Sequence, residues 1–224
     1  MNNSKIITID GPSGVGKGTL AKALAKHLNY KLLDSGAIYR LAALHCFNNN
    51  TDLTSETNVC KTLDNLDIRF EIDNGSNSIK IILAGDDVSK EIRTEQIGML
   101  ASKIAAYPNV RKVLLNKQRD FATEQGLVAD GRDMGTIVFP NAKYKFFLDA
   151  SSQVRATRRF TELEEKNQHP NFETILADIE KRDFQDRNRK IAPLKPATDA
   201  IIIDTSNLSI EKVFNKVLDK IKNN

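Results

Sequence analysis

Apolar residues come early in this chain as short dense runs, and between them they recur at helical spacing. Lys5-Ile-Ile-Thr-Ile-Asp10 is an apolar run that stops at a glycine-rich turn, which predicts a buried parallel strand. Over 17–28, Leu20, Ala21, Leu24, Ala25 and Leu28 fall on one helical face. Residues 30–33 read as a second strand and about 36–47 as a second helix. Strand, glycine turn, helix, strand is the opening of a three-layer α/β fold. Further on, Ile68-Arg-Phe-Glu-Ile72 and Ile79-Lys-Ile-Ile-Leu83 flank an Asp-Asn-Gly-Ser-Asn-Ser turn. That is a β-hairpin signal, with a third short strand expected near 87–88. A hairpin set between helices reads as an insertion, not as a central strand pair. Helical patterns follow at about 94–105 and 109–123. Strands are expected at 127–130, 144–149 and 200–204, with helices at about 152–163, 172–188 and 209–221. The expected architecture is a five-stranded parallel sheet with two excursions, one over about 35–111 and one over about 160–195.

Composition narrows the classes. The 224 residues suffice for one α/β domain with inserted parts, and 40% hydrophobic content fits a globular core. No run of about 18 apolar residues occurs, so no membrane span is expected. The first ten residues lead into a strand without the features of a signal or transit peptide, so the cytoplasm is the expected location. Cys46 and Cys60 lack the spacing of a zinc site or a disulfide framework, and His27, His45 and His169 are isolated. The net charge of +4 is compatible with nucleic acid, a membrane surface or small anions. Its placement favours discrete phosphate and base contacts over a smooth cationic patch, because several of the arginines are interleaved with aspartates. Aromatic content of 6% and the lack of a stacking motif count against a nucleic-acid module.

Gly11-Pro-Ser-Gly-Val-Gly-Lys17 matches G-x-x-x-x-G-K at a strand-to-helix junction. Such a loop turns successive backbone N–H groups onto phosphate oxygens, the helix start adds partial positive charge, and Lys17 adds a full one. Gly11, Pro12, Ser13, Gly14, Val15, Gly16, Lys17, Gly18 and Thr19 are therefore the expected triphosphate site. The hydroxyl arrives at Thr19, one place later than in many nucleotide-driven switches. Asn116-Lys-Gln-Arg-Asp120 is one residue too long for the guanine-reading N-K-x-D, so a GTPase is not expected. Two further motifs bear on a second substrate. Asp34-Ser-Gly-Ala-Ile-Tyr-Arg40 sets a serine at a helix start and an arginine one turn in; alone, these read as a cap and a solvated charge. Asp130-Gly-Arg-Asp-Met-Gly135 sets a carboxylate at a strand end with an Arg-Asp pair behind it, at the sheet edge that bears the phosphate loop.

The chain resembles the bacterial-type cytidylate kinases, from about residue 6 to 221. The resemblance rests on I-T-I-D-G-P-S-G-x-G-K-G-T at 7–19, L-D-S-G-A-I-Y-R at 33–40 and E-I-R-T-E at 91–95. A-D-G-R-D-M-G-T-x-V-F-P at 129–140, F-L-D-A-S at 147–151 and R-D-x-x-D-R-N-R at 182–189 complete it. The G-K-G-T form is shared with other nucleoside monophosphate kinases; the remaining motifs together are specific.

The resemblance implies a single P-loop kinase domain. Its core is about 1–34, 112–159 and 196–224, with an NMP-binding insert over about 35–111 that holds a small antiparallel sheet, and a mobile lid over about 160–195. It implies that ATP with Mg²⁺ phosphorylates CMP or dCMP, and that the protein works as a monomer without nucleic acid or membrane. It also implies catalytic roles for Lys17, Arg132, Arg189 and Asp130. Ser35, Arg40 and Arg132, joined by Arg189 on closure, would bind the monophosphate. Ser102, Arg111 and Asp133 would read cytosine, and Arg182 and Asp186 would contact ribose. Arg158 leads a weaker group, with Arg155 and Arg159, for ATP contact. No direct metal motif occurs; Mg²⁺ would be held through ATP and water, with Thr19 and Asp130 nearby. The base assignment has a chemical reason. A carboxylate accepts from the cytosine N4 amino group, whereas uracil would oppose it with the O4 lone pairs. On a helix, 182, 186 and 189 share a face. Competing expectations are a kinase for another small acceptor (UMP, AMP or shikimate), a nucleic-acid module, and an ATP-binding switch with no acceptor pocket.

Overall fold

The computed structural model describes residues 5–72 and 79–222. The turn expected over 73–78 lies outside the described residues. Two compact units form, one from residues 1–34 and 119–224, the other from 35–118.

The first unit is built on a five-stranded parallel sheet in the order β2-β6-β1-β7-β8. Its strands are β1 (Ile6–Asp10), β2 (Lys31–Asp34), β6 (Leu127–Gly131), β7 (Tyr144–Asp149) and β8 (Ile201–Asp204). Central β1 is buried along its whole length, as its unbroken apolar run requires, while edge strands β2 and β8 are half open. Ile202 shows the consequence of the edge position, with 63% of its surface exposed. Helices α1 (Lys17–Leu28) and α8 (Ile210–Lys222) bury Leu20, Leu24, Val213 and Val217 in one core with Ile7, Ile9, Val128, Phe146 and Leu148. The other helices of this unit are α6 (Ser152–Glu165) and α7 (Phe172–Asn188). Ser151 and Asn171 cap them, accepting from Val154 and Thr174 N–H. Because all strands run the same way, their carboxyl ends share an edge. Asp10, Asp34, Asp149 and Asp204 end their strands, and Asp130 lies one residue from the end of β6.

The second unit holds α2 (Ser35–Asn48), α3 (Glu56–Leu63), α4 (Glu95–Ile104) and most of α5 (Pro108–Arg119). Its sheet is antiparallel and three-stranded, β3 (Ile68–Ile72), β4 (Ile79–Leu83) and β5 (Asp86–Asp87), separate from the parallel one. Ile38, Leu41, Val59, Leu63, Ile97 and Ile104 are among its buried residues. Helix α3 was absent from the expectations. It is short and carries only two buried residues, Val59 and Leu63; Ser55 caps it by accepting from Asn58 N–H at 3.3 Å. A π-helical turn over Met134–Val138 was also unforeseen. Among the described residues, no helix is long and apolar enough to cross a membrane. Cys46 is buried and Cys60 half-buried; both are free thiols whose pKa burial raises, Cys46 to about 11.

Candidate active site

The glycine-rich loop expected to hold phosphate, residues 11–16, leaves the carboxyl end of β1 and delivers the chain into α1, with Gly16 as the N-cap. A helix start leaves its first N–H groups without intrahelical partners, so they are available to an anion. Gly11 is required by space: a Cβ there would lie 2.2 Å from the Leu148 carbonyl oxygen of neighbouring β7. Gly18 faces Asp130, whose Oδ2 lies 3.3 Å from where its Cβ would stand. The residue that the sequence reads as a class marker is thus also where a strand-end carboxylate closes on the first turn of α1. Thr19 is exposed.

Carbonyl oxygens would repel phosphate, and three of them around the loop have donors. Lys17 Nζ donates to Pro12 O at 2.8 Å and Arg155 to Ser13 O at 3.0 Å. Thr205 Oγ1 lies 3.4 Å from Val15 O and 3.2 Å from Asp149 O, so its single proton serves one of the two at a time. Arg158 donates to Thr205 O at 2.6 Å and to Thr205 Oγ1 at 3.3 Å, which sets this guanidinium beside the loop's support. Arg159 is exposed and pairs with Glu162.

Lys17 is buried, and burial, followed by the Arg132 charge, pushes its pKa down; Asp130, Asp10 and Asp34 resist the fall. Burial pushes Asp130 up, against the pull of Lys17. The two groups titrate as a pair, and an anion arriving between them and Arg132 would favour the charged lysine.

Asp10 has a separate task. It is 3% exposed and accepts N–H bonds from Met134 and Gly135, both at 2.8 Å. Burial outweighs those bonds and raises its pKa to about 6. The strand that carries the phosphate loop therefore also fixes the turn behind Arg132 and Asp133. The strands put the two motifs side by side: β1 pairs with β6, and Asp10 lies opposite Gly131. Asp133 is buried at the start of the π-turn, its carbonyl accepting from Ile137 and Val138 N–H.

Arg132 reaches across to α7, donating from Nε to Asp186 Oδ2 at 2.8 Å. Arg189 NH1 lies 3.7 Å from the other oxygen of Asp186. Arg132, Asp186 and Arg189 thus form one cluster, while Arg182 is exposed further up α7. The expectation that 189 continues the helical face needs correction. Helix α7 ends at Asn188, and Arg189 is its extended C-cap, with Nε donating to Ala192 O at 2.6 Å. Arg187 turns elsewhere, to Asp149 at 3.6 Å.

In the 35–118 unit, Ser35 is buried at the first turn of α2. Arg40, on the same helix, donates to Ile92 O at 2.7 Å and Thr94 O at 3.1 Å. Both acceptors lie within the E-I-R-T-E stretch at 91–95, so that segment's backbone holds Arg40. Ser102 is exposed on α4, and Arg111 on α5 lies 5.6 Å over the Tyr39 ring.

Sequence reasoning gave no role to Asp10, Asp149, Asp183 or Thr205. The recurrence of aspartate at the strand ends was the available signal for the first two. Among the described residues, no cluster of three or more acidic, histidine or cysteine side chains suits a metal ion. Asp130 and Thr19 nevertheless offer the hard oxygen donors that a mostly hydrated magnesium ion takes.

The cytidylate kinase family model matches residues 7–223. Cytidylate kinase 1 of Haemophilus influenzae is 54% identical, over 97% of this chain and 93% of its own length. The cytidylate kinase of Pasteurella multocida is 52% identical, over 99% of this chain and 97% of its own. Among solved structures, an uncharacterized protein from Eubacterium ventriosum superposes with a TM-score of 0.51 at 16% identity, over 98% of each chain. That likeness concerns the fold alone.

Proposed function

We propose, since the chain belongs to the cytidylate kinase family of phosphotransferases, that it moves the γ-phosphate of ATP onto CMP or dCMP, giving ADP with CDP or dCDP. The observation that carries this reading is the pairing of β1 with β6. The phosphate loop and the Arg132-Asp133 motif issue from adjacent parallel strands in register, so donor and acceptor groups start one strand spacing apart, about 4.8 Å.

The chemistry asks for positioning and charge neutralisation, not for a covalent intermediate. The loop amides and Lys17 would hold the β- and γ-phosphates, with Arg158 on the ATP side. Asp130 and Thr19 are the side chains offered to hydrated Mg²⁺, which offsets charge on the phosphate oxygens when bound. Arg132, Ser35, Arg40 and Arg189 take the acceptor monophosphate. Asp133, Arg111 and Ser102 read cytosine, and Arg182 with Asp186 take the ribose. The acceptor is already an anionic phosphate, so no strong base is needed. Arg132 enters the reaction from its bond with Asp186, and the incoming phosphate competes with that carboxylate for the guanidinium. Residues 160–195 act as a lid that keeps water from the γ-phosphate. The protein works as a cytoplasmic monomer on free nucleotides.

An ADP-release assay across CMP, dCMP, UMP, AMP and GMP, with ATP and Mg²⁺, tests this. CMP and dCMP should be the preferred acceptors. Preference for another monophosphate would move the assignment to a different acceptor, and no acceptor-dependent release would contradict it.

A further inference from the structure

Arg155 is among the largest fully buried side chains, 2% exposed, in a protein whose other arginines mostly reach water. It lies on the first turn of α6 and its guanidinium joins three places. Nε donates to Ala150 O at the end of β7 at 3.0 Å, and NH1 donates to Ser13 O of the phosphate loop at 3.0 Å. Asp183 on α7 takes both ends of the fork, Oδ1 from NH1 at 3.1 Å and Oδ2 from NH2. Replacing a buried ion pair by well-packed apolar groups is often neutral or stabilising, so stability alone is a poor reason to bury one here. Geometry is a better reason. In a trans peptide the C=O and N–H point in opposite directions. Holding Ser13 O against Arg155 therefore turns the Gly14 N–H away from that guanidinium, leaving it as a donor for a phosphate oxygen.

We propose that Arg155, anchored by Asp183, is a positioning residue for the nucleoside triphosphate: it presets the Ser13–Gly14 peptide of the phosphate loop before the ligand arrives. This rests on the reading of residues 11–19 as a triphosphate site. It also assigns the aspartate at 183 in R-D-x-x-D-R-N-R, which the acceptor reading leaves without a task.

The test uses Arg155→Lys in the full chain. Lysine keeps the charge opposite Asp183 but cannot span Ala150, Ser13 and the carboxylate with a planar fork. Direct titration should find MgATP bound at least about tenfold more weakly, the loss expected for one amide bond to a charged phosphate. CMP alone should bind within about twofold of the wild type, a split that a purely structural role would not produce. Asp183→Asn, which keeps the shape and one acceptor, should weaken MgATP in the same direction by a smaller factor; it carries the test if Arg155→Lys does not fold by circular dichroism. A folded Arg155→Lys that binds MgATP like the wild type overturns the proposal, as does equal weakening of both nucleotides. If Asp183→Asn has to carry the test, unchanged MgATP binding in it overturns the proposal too. Wild-type protein that binds no MgATP would instead refute the site reading, and the proposal with it.

Discussion

Lys17 is an amine held where water scarcely reaches it, so its neighbours set its charge. Lys17→Met should lower kcat by about a hundredfold or more, the scale of losing one aimed charge, while CMP affinity stays within a few fold; turnover near the wild-type rate would refute the role. Asp133→Ala should mainly erode the preference for CMP over UMP in kcat/KM, because the carboxylate proposed to accept from N4 is gone. Unchanged discrimination would count against it. Asp10 yields a pH prediction. Its folded-state pKa is raised from 3.8 to about 6, so the native state binds that proton more tightly than the unfolded chain. The resulting stability is full below about pH 4 and is lost as pH rises through about 6, a swing of up to about 3 kcal/mol. The stability of the wild type minus that of Asp10→Asn, from denaturant melts, should therefore be larger at pH 4.5 than at pH 7.5. A gap that does not change with pH would contradict this.

At the scale of elements, α7 is the piece whose behaviour matters most. Glu180 accepts from Ser152, Asp183 from Arg155 and Asp186 from Arg132, three acceptors spaced three residues apart along the helix. Hydrogen exchange over 172–188 should slow when CMP and a non-hydrolysable ATP analogue bind together, and exchange indifferent to both would argue against a lid. Ser55→Ala should cost about 1 kcal/mol through loss of the α3 cap, read from a denaturant melt. The parallel strands, α1, α7 and the glycine-rich turn between β1 and α1 were legible because a local pattern encodes each: an apolar run, a helical period, or a glycine spacing. Helix α3 was not, since eight residues with two buried ones fall below what periodicity resolves. The π-turn at Met134–Val138 was hidden for another reason. Its N–H groups at 134 and 135 are held by Asp10, more than a hundred residues away, and no local pattern encodes that. The same holds for partner choice. The Arg-Asp interleaving was visible, but that Arg155 takes Asp183 and Arg132 takes Asp186 depends on how α6, α7 and β6 pack.

At the scale of the molecule, the chain leaves the parallel-sheet unit after Asp34 and returns at Arg119, so the second unit is an insertion between β2 and β6. The sheet unit gathers aspartates from all five strands at one edge, where a strongly anionic ligand is proposed to bind. Lys17, Arg132, Arg155, Arg158 and Arg187 meet that edge from the loop and the helices, and their charges make phosphate binding there electrostatically reasonable. In the proposed reaction, phosphate passes directly from donor to cytidylate. The most direct measurement is the product balance with ATP, Mg²⁺ and CMP, separated by anion exchange. Equal amounts of ADP and CDP are expected, with no release of inorganic phosphate beyond background. ADP accompanied by free phosphate in place of CDP would contradict it.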